Sequence, residues 1–176
     1  CMIPFPGNAV TPMISAGSNG SLFLNSDGSV WGTGSTANYS PGATSPVRAL
    51  QLPNVVAVAA RFFGGADFAL LADGTLWGSG NGRLVDGSTQ ILLQPQRVAG
   101  ISGIKAMSAN EHVLALKEDG TVWAWGKNDQ GQLGDGTMTD RYLPAQVTGL
   151  TNVTRIAASS GSSLALSSDG TVWVWG

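Results

Sequence analysis

The sequence predicts an all-β protein built from repeated units. Asp-Gly dipeptides recur four times, at spacings of 46, 46 and 50 residues: Asp27-Gly28, Asp73-Gly74, Asp119-Gly120 and Asp169-Gly170. Each is followed by a Trp three residues after its Gly, at Trp31, Trp77, Trp123 and Trp173. Alternating apolar residues flank each dipeptide and helix-like runs are rare, so each copy predicts a β-hairpin.

The third copy, around Asp119-Gly120, gives the expected strand register. Asp-Gly suits a type I′ turn, because both central residues need a positive φ. With a two-residue loop, the facing pairs are Leu116–Trp123, Leu114–Trp125 and Ala115–Ala124. One face of the hairpin is then bulky and the other small, as in a sheet packed between two others. In the first copy the same register places Gly32 opposite Phe23. The large Phe faces a residue without a side chain, so the summed volume stays close to that of the equivalent Ala115–Ala124 pair.

Every unit has the same order of segments. An apolar run opens it, then come a short variable loop, the Asp-Gly hairpin, a Gly-rich excursion and a strand led by Pro46, Pro95 or Pro144. Pro at the first residue of a strand indicates an outer edge strand. Four short strands in about 46 residues are typical of a propeller blade or a β-solenoid turn. We expect an irregular lead-in over 1–13 and units at about 14–58, 59–106, 107–156 and, in part, 157–176.

The third unit carries the most specific motif. It reads His112-x-x-Ala115-Leu116, Asp119-Gly120-Thr121-Val122-Trp123-Ala124-Trp125-Gly126, Asn128, Gly131-Gln132-Leu133-Gly134-Asp135-Gly136-Thr137 and Arg141-x-x-Pro144-x-x-Val147. This run resembles the regulator-of-chromosome-condensation repeat, and the resemblance extends over residues 14–176. The first two copies lack the Gly-Gln-Leu-Gly segment and the His, and the fourth stops at Gly176.

The resemblance implies a seven-bladed β-propeller, of which this chain holds about three and a half blades. The framework positions that it implies are Gly28, Trp31, Gly74, Trp77, Gly120, Trp123, Trp125, Gly126, Gly131, Gly134, Gly170, Trp173 and Trp175. An open half-ring leaves blade faces exposed to solvent. Such exposure is unfavourable, because burying one Trp side chain contributes roughly 4–6 kcal/mol. We therefore expect the remaining blades to come from further sequence or from a second copy.

Composition excludes several classes of function. Charged residues make up 11% of the chain and the net charge is −2, so phosphate-driven binding of nucleic acid is not expected. The single cysteine, Cys1, excludes intrachain disulfides and Cys-based metal sites. The sequence contains no run of 18 apolar residues, so no transmembrane helix is expected. Low Lys and abundant Ser, Thr, Gly and Ala favour a bacterial extracellular or cell-surface protein.

Candidate chemistry is sparse. His112 is the one histidine, and no Gly-x-Ser-x-Gly elbow accompanies it. A Ser-His-Asp site is formally open, but the repeat explains His112 as a loop residue bonded to the neighbouring turn. Residues 128–135 lack the alternating acids of a calcium loop, and no helix follows the glycines of residues 78–82. The sequence therefore predicts no catalytic residue, no metal site and no cofactor.

The loops between opening strand and hairpin are the candidate binding surface, because equivalent loops of a propeller gather on one rim. Phe62 and Phe63 are adjacent, so both cannot point inward from a strand. An exposed aromatic beside Arg61 is typical of an interface anchor, and the alternative is that Phe62 plugs the central channel. The expected partner-binding residues are Arg61, Phe62, Phe63, Asn110, Glu111, His112, Asn19 and Ser160.

The sequence thus predicts a non-enzymatic propeller that binds a protein partner through its loop rims. Two alternatives follow from the resemblance. The family includes a guanine-nucleotide exchange factor for a small GTPase, and a secreted bacterial relative inhibits β-lactamases through aromatic residues on one rim. Phe62 and Phe63 are similar to those aromatics in placement. An enzyme is favoured only if further blades supply acids or a metal site.

Overall fold

The computed structural model describes residues 10–34, 43–60 and 65–176 as four antiparallel sheets. The first contains β1 (Met13–Ala16), β2 (Gly20–Leu24), β3 (Val30–Gly34) and β4 (Ala43–Arg48). The second contains β5 (Val55–Ala59), β6 (Ala66–Leu71), β7 (Leu76–Asn81) and β8 (Ile91–Arg97), with a short 3₁₀ helix at Gly82–Leu84. The third contains β9 (Ile104–Ala109), β10 (His112–Lys117), β11 (Val122–Gly126) and β12 (Arg141–Gln146). The fourth contains β13 (Val153–Ala158), β14 (Ser163–Ser167) and β15 (Val172–Trp175).

These sheets are the blades of a β-propeller, which confirms the all-β prediction. Strand order within each sheet follows the sequence. The opening strands of successive blades contact one another, β1 with β5, β5 with β9 and β9 with β13. The opening strands therefore lie on the inner side and β4, β8 and β12 on the outer edge. The first strands of the second, third and fourth sheets begin at residues 55, 104 and 153. The sequence predicted unit boundaries at about 59, 107 and 157.

The hydrophobic core lies between the blades. Leu22, Leu24 and Val30 of the first blade pack on Val55 and Val58 of the second. The next cluster joins the second and third blades, and the third cluster joins the third and fourth. A blade buries one face against its predecessor and the other against its successor, as expected of quasi-one-dimensional repeats.

The Asp-Gly turn differs from the predicted type I′ turn. Gly120 N–H donates to the Lys117 carbonyl at 3.0 Å, and Lys117 N–H donates to the Thr121 carbonyl at 3.0 Å. The loop thus has three residues, a type I turn followed by Gly120 at φ +80° in a bulge. Asp119 Oδ1 accepts hydrogen bonds from the Thr121 hydroxyl at 2.6 Å and from Thr121 N–H at 2.9 Å, and these bonds cap the turn and hold the pKa of Asp119 below 3.8.

The extra loop residue shifts the predicted register. The observed pairs are Leu116–Val122, Ala115–Trp123, Leu114–Ala124 and Val113–Trp125. In the first blade Phe23 faces Trp31, and Leu22 faces Gly32. The pairs predicted from a two-residue loop were wrong, since slipping the register by one residue changes every partner. In the third blade two of these pairs, Ala115–Trp123 and Leu114–Ala124, set a large residue against Ala, whereas Phe23 and Trp31 of the first blade are both large.

The outer strands carry their Pro inside the strand and not at its first residue. In the third blade Ala145 pairs with Ala124, and the next paired residue is Arg141 opposite Gly126, so Pro144 lies in the bulge between them. Pro95 lies in the same bulge of β8, and Pro46 in that of β4. Pro has no N–H to donate, so a bulge on an edge strand accommodates it at little cost.

Candidate interaction site

The turns after the opening strands lie at one end of the blades, because each blade repeats the same antiparallel order. Gly17 N–H donates to the Gly20 carbonyl at 2.8 Å, and Ser159 N–H donates to the Ser162 carbonyl at 2.9 Å. Asn19 and Ser160 lie in these two turns and are exposed. We call Asn19, Ser160, Asn110 and Glu111 the rim residues. Arg61, Phe62 and Phe63 lie outside the described residues.

The turn that holds Asn110 and Glu111 differs from the other two because the Glu111 carboxylate forms an ion pair. Glu111 Oε2 accepts from Lys127 Nζ at 2.7 Å, and Asp129 lies 3.4 Å from the same ammonium. The hydrogen bond that Lys127 donates to Glu111 raises the pKa of Lys127. Asn110 Oδ1 is buried and has no hydrogen-bond partner among the described residues. The two residues sit in one turn, but only Glu111 combines a charge with partial exposure.

His112 is not a surface residue. It is the first residue of β10, and its side chain is fully buried. Its Nε2 lies 2.7 Å from Ser163 Oγ of the next blade. Ser163 Oγ–H donates to the Gln132 carbonyl at 2.7 Å, so the single hydroxyl proton is used and His112 Nε2–H must be the donor. Its side chain is therefore not part of the exposed rim of this chain.

Burial also fixes the charge of His112. Desolvation lowers the pKa of His112 from its usual 6.5 to about 4, although neighbouring Glu111 acts in the opposite direction. Nδ1 then carries a lone pair that no described residue contacts with a hydrogen bond. The His112–Ser163 pair resembles a nucleophile and its base in composition only. Both side chains are fully buried, and Ser163 is committed to a carbonyl.

The Gly-rich excursion of the third blade is organised around Asn128, which is buried. Asn128 Nδ2 lies within hydrogen-bonding distance of the Thr137 carbonyl (3.0 Å) and the Thr139 carbonyl (3.1 Å), while Oδ1 accepts from Leu133 N–H at 2.9 Å. An amide donor thus occupies the centre of the loop that was weighed as a calcium site. Within residues 10–34, 43–60 and 65–176, no group of three or more His, Cys, Asp and Glu is placed to hold a metal ion.

The excursions of the second and third blades are hydrogen-bonded to the blade that follows each of them. Trp125 Nε1 donates to the Leu84 carbonyl at 2.8 Å, and Trp175 Nε1 donates to the Gln132 carbonyl at 2.9 Å. The Gln132 carbonyl accepts from Ser163 as well. Sequence reasoning missed Ser163 and the Gln132 carbonyl, because no local pattern indicates a contact across 31 residues. The available signal was the repetition of Trp125 and Trp175 at equivalent positions.

Gly126 allows β10 and β11 to approach each other closely. Gly126 has φ +113°, and a Cβ there would lie 2.7 Å from His112 Cα, so only Gly allows this approach of β10 and β11. No helix in the described part of the chain is long and apolar enough to cross a membrane.

Comparisons with known proteins agree with this architecture. Residues 119–166 match the model of the regulator of chromosome condensation (RCC1) repeat. Human WBSCR16 is 21% identical with a TM-score of 0.79, covering 94% of this chain and 47% of its own. Prp20p of Saccharomyces cerevisiae is 24% identical (TM-score 0.77; 93% and 43%). Yeast RCC1 (Prp20) in the structure with Kap60 is 26% identical (TM-score 0.78; 93% and 42%). The chain spans less than half the length of these structures, and no curated protein matches it.

Proposed function

We propose that this chain, which carries the regulator of chromosome condensation repeat on β-propeller blades, binds a protein partner through its rim residues and is not an enzyme. One observation carries the proposal. His112 and Ser163, the side chains weighed as a base and a nucleophile, are hydrogen-bonded in contacts between blades. Asn19 and Ser160, by contrast, are exposed in turns closed by backbone hydrogen bonds. Rigid scaffolds that present variable loops are typical of binding proteins.

The similar structures support a role in protein binding. The structure of Prp20p was described with its binding to Gsp1p and histones, and yeast RCC1 (Prp20) was solved bound to Kap60. These statements concern those proteins. For this chain they favour a protein partner as a class, and the net charge of −2 favours a partner other than nucleic acid.

Site-specific photo-crosslinking tests the proposal. A photoreactive amino acid at Asn19 or Ser160 reports on the rim, and the same group at Glu118 or Ser168, which are exposed at the opposite end of the blades, provides the control. After irradiation in an extract of the source cells, we expect one common protein adduct from Asn19 and Ser160 and none from the controls. Equal adducts from both ends, or none from the rim, would contradict the proposal.

A second candidate is regulation of a small GTPase by nucleotide exchange, favoured by the 26% identity to yeast RCC1 over 93% of this chain. Release of a fluorescent guanine nucleotide from a panel of small GTPases tests it directly. Acceleration that is lost when Asn19 and Ser160 are replaced by Ala would establish this activity, and an unchanged release rate across the panel would reject it for this chain.

The enzyme-inhibitor alternative rests on Phe62 and Phe63, which lie outside the described residues. A bacterial extracellular or cell-surface location, proposed from composition, would suit such an inhibitor. Inhibition of β-lactamases by the chain, abolished in Phe62→Ala and Phe63→Ala variants, would support this alternative; equal β-lactamase turnover with and without the chain would reject it.

A further inference from the structure

A groove of about 530 Å³ lies between the second and third blades. One wall is formed by residues 97–102, which connect β8 to β9, and the other by Lys117 of β10 and Trp123 of β11. Lys117 adjoins the Asp119-Gly120 turn, so the groove lies at the end of the blades opposite the rim residues. Its volume is in the range that proteins use for small ligands.

Backbone hydrogen bonds hold both walls of the groove in place. Val98 N–H donates to the Leu76 carbonyl at 2.8 Å, which joins the connecting segment to the second blade. Glu118 N–H donates to the Gly103 carbonyl at 2.9 Å, which joins the same segment to the third blade. The groove is therefore already formed in the absence of a ligand, so binding does not require the backbone to be reordered.

The charged residues that line the groove are both cations, Arg97 and Lys117. Arg97 is exposed and makes no salt bridge with any residue that the structure describes. Its charge acts on Asp73 from beyond ion-pair distance. Lys117 Nζ lies 3.8 Å from Asp119 Oδ2, and an exposed ion pair at this distance contributes little. The groove therefore attracts anions.

Trp123 adds an apolar surface in a fixed orientation. Its Nε1–H donates to Thr121 Oγ1 at 3.3 Å, and its ring packs against the core cluster between the second and third blades. Lys117 Nζ lies 5.6 Å from the centre of the Trp123 ring, so an ammonium group and an indole are adjacent in the groove. This combination suits an anion that carries an apolar group.

The equivalent positions between other blades show that the fold does not need both cations. Strand pairing and the hydrogen bonds of the Asp-Gly turns define these positions. The residues equivalent to Arg97, Lys117 and Trp123 are Arg48, Leu71 and Trp77 between the first and second blades, and Gln146, Ser167 and Trp173 between the third and fourth. Among the described residues, the groove between the second and third blades is thus the one that places two cations beside an indole.

We propose that this groove binds a small organic carboxylate that carries an apolar group. The planar guanidinium of Arg97 donates two parallel hydrogen bonds to the carboxylate, and Lys117 adds a second positive charge. The apolar group lies along the Trp123 ring. The site is at the opposite end of the blades from the rim residues and does not depend on the protein partner proposed above.

The charge balance of the groove favours a carboxylate over a phosphate monoester. Asp119 offsets one of the two cations, since its carboxylate lies 3.8 Å from Lys117 Nζ. One positive charge then remains, and a carboxylate balances it. A phosphate monoester carries about two negative charges at pH 7 and leaves one of them beside Asp119 without a partner.

Phenylacetate is the probe, titrated into the full 176-residue chain labelled with ¹⁵N. The indole N–H signals of the six Trp residues report binding by NMR, and the signal of Trp123 is identified by its loss in Trp123→Phe. We expect this signal to shift saturably with a Kd of about 1–10 mM, as is usual for a ligand of this size. Phenylacetamide has the same shape without the charge and should bind at least about fivefold more weakly.

Two variants test the cations with residues that the chain itself has at the equivalent positions. Arg97→Gln copies Gln146 and Lys117→Ser copies Ser167, so both should fold, which an unchanged urea midpoint verifies. Each should weaken the binding of phenylacetate roughly fivefold to tenfold. Arg48→Gln at the equivalent position of the first blade is the matched control and should change the Kd less than about twofold.

Four results would each overturn the proposal. They are no saturable shift of the Trp123 signal, equal binding of phenylacetamide, wild-type affinity in Arg97→Gln and Lys117→Ser, and an equal loss in Arg48→Gln. Tighter binding of phenyl phosphate than of phenylacetate would also overturn it, because the groove would then be a phosphate site and not a carboxylate site.

Discussion

Protonation of His112 should destabilise this protein in mild acid. The unfolded chain takes up a proton on this side chain near pH 6.5, whereas burial lowers the pKa of His112 in the fold to about 4. The unfolded state therefore binds more protons between these values. The stabilising contribution is fully present above about pH 6.5 and is lost as the pH falls toward about 4.

The magnitude follows from the two pKa values. The gap between 6.5 and about 4 corresponds to about 3 kcal/mol in the free energy of unfolding. About 2 kcal/mol of this is already lost at pH 5. The turn carboxylates titrate in a lower window, because hydrogen bonds hold the pKa of Asp119 and Asp169 below 3.8 and their contribution is lost only as the pH falls through those lowered values. The interval from pH 7.5 to 5 therefore isolates His112.

Urea unfolding followed by Trp fluorescence at pH 7.5, 6 and 5 measures this effect. His112→Gln keeps an N–H that can donate to Ser163 but cannot titrate. We expect the unfolding free energy of the wild type to fall by about 2 kcal/mol over this range, and that of His112→Gln to change by less than about 0.5 kcal/mol. Glu111→Gln serves as the control, because removing this charge lowers the pKa of His112 further and should preserve the acid sensitivity.

Two results would refute the reasoning. If His112→Gln loses stability in acid as steeply as the wild type, another group carries the pH dependence. If the wild type keeps its full stability down to pH 5, His112 binds protons equally well in both states. Burial between the two blades would then not be what lowers the pKa of His112.

Two further predictions concern the contacts between blades, both measured by urea unfolding at pH 7.5. Leu114→Ala should cost about 2–5 kcal/mol because Leu114 is fully buried, whereas Leu164→Ala at the equivalent position of the fourth blade, 37% exposed, should cost less than about 1 kcal/mol; similar costs would mean that the fourth blade is covered in solution. Trp125→Phe removes the N–H that donates to the buried Leu84 carbonyl and should cost about 1–3 kcal/mol, and a neutral effect would show that this hydrogen bond does not hold the blades together.

Much of the fold could be predicted because its signals are local. Each Asp-Gly dipeptide and its Trp recur within one hairpin, so counting the copies located every blade. The turn type was wrong for a local reason as well. Asp-Gly is compatible with a two-residue loop, but the observed loop has three residues, and in it Asp119 Oδ1 accepts hydrogen bonds from the N–H and the hydroxyl of Thr121. That one added residue changed all the facing pairs.

The candidate site was less predictable, because exposure depends on contacts between blades. Asn19 and Ser160 lie in exposed turns, but His112, which belongs to the same run of sequence as Asn110 and Glu111, is buried against the next blade. Its partner Ser163 lies 51 residues away. A hydrogen bond of that sequence separation leaves no mark on the spacing of residues along the chain.

The sequence by itself determined the repeat, the strand class and the position of each hairpin, since those follow from side-chain alternation and turn chemistry within about ten residues. Only the tertiary structure decided which groups remain available. Stacking of the blades takes His112, Ser163 and the indole of Trp125 into the interior, where each makes a hydrogen bond to a neighbouring blade. The physical reason is that a blade buries its faces only against another blade, so burial is a property of neighbours and not of the repeat.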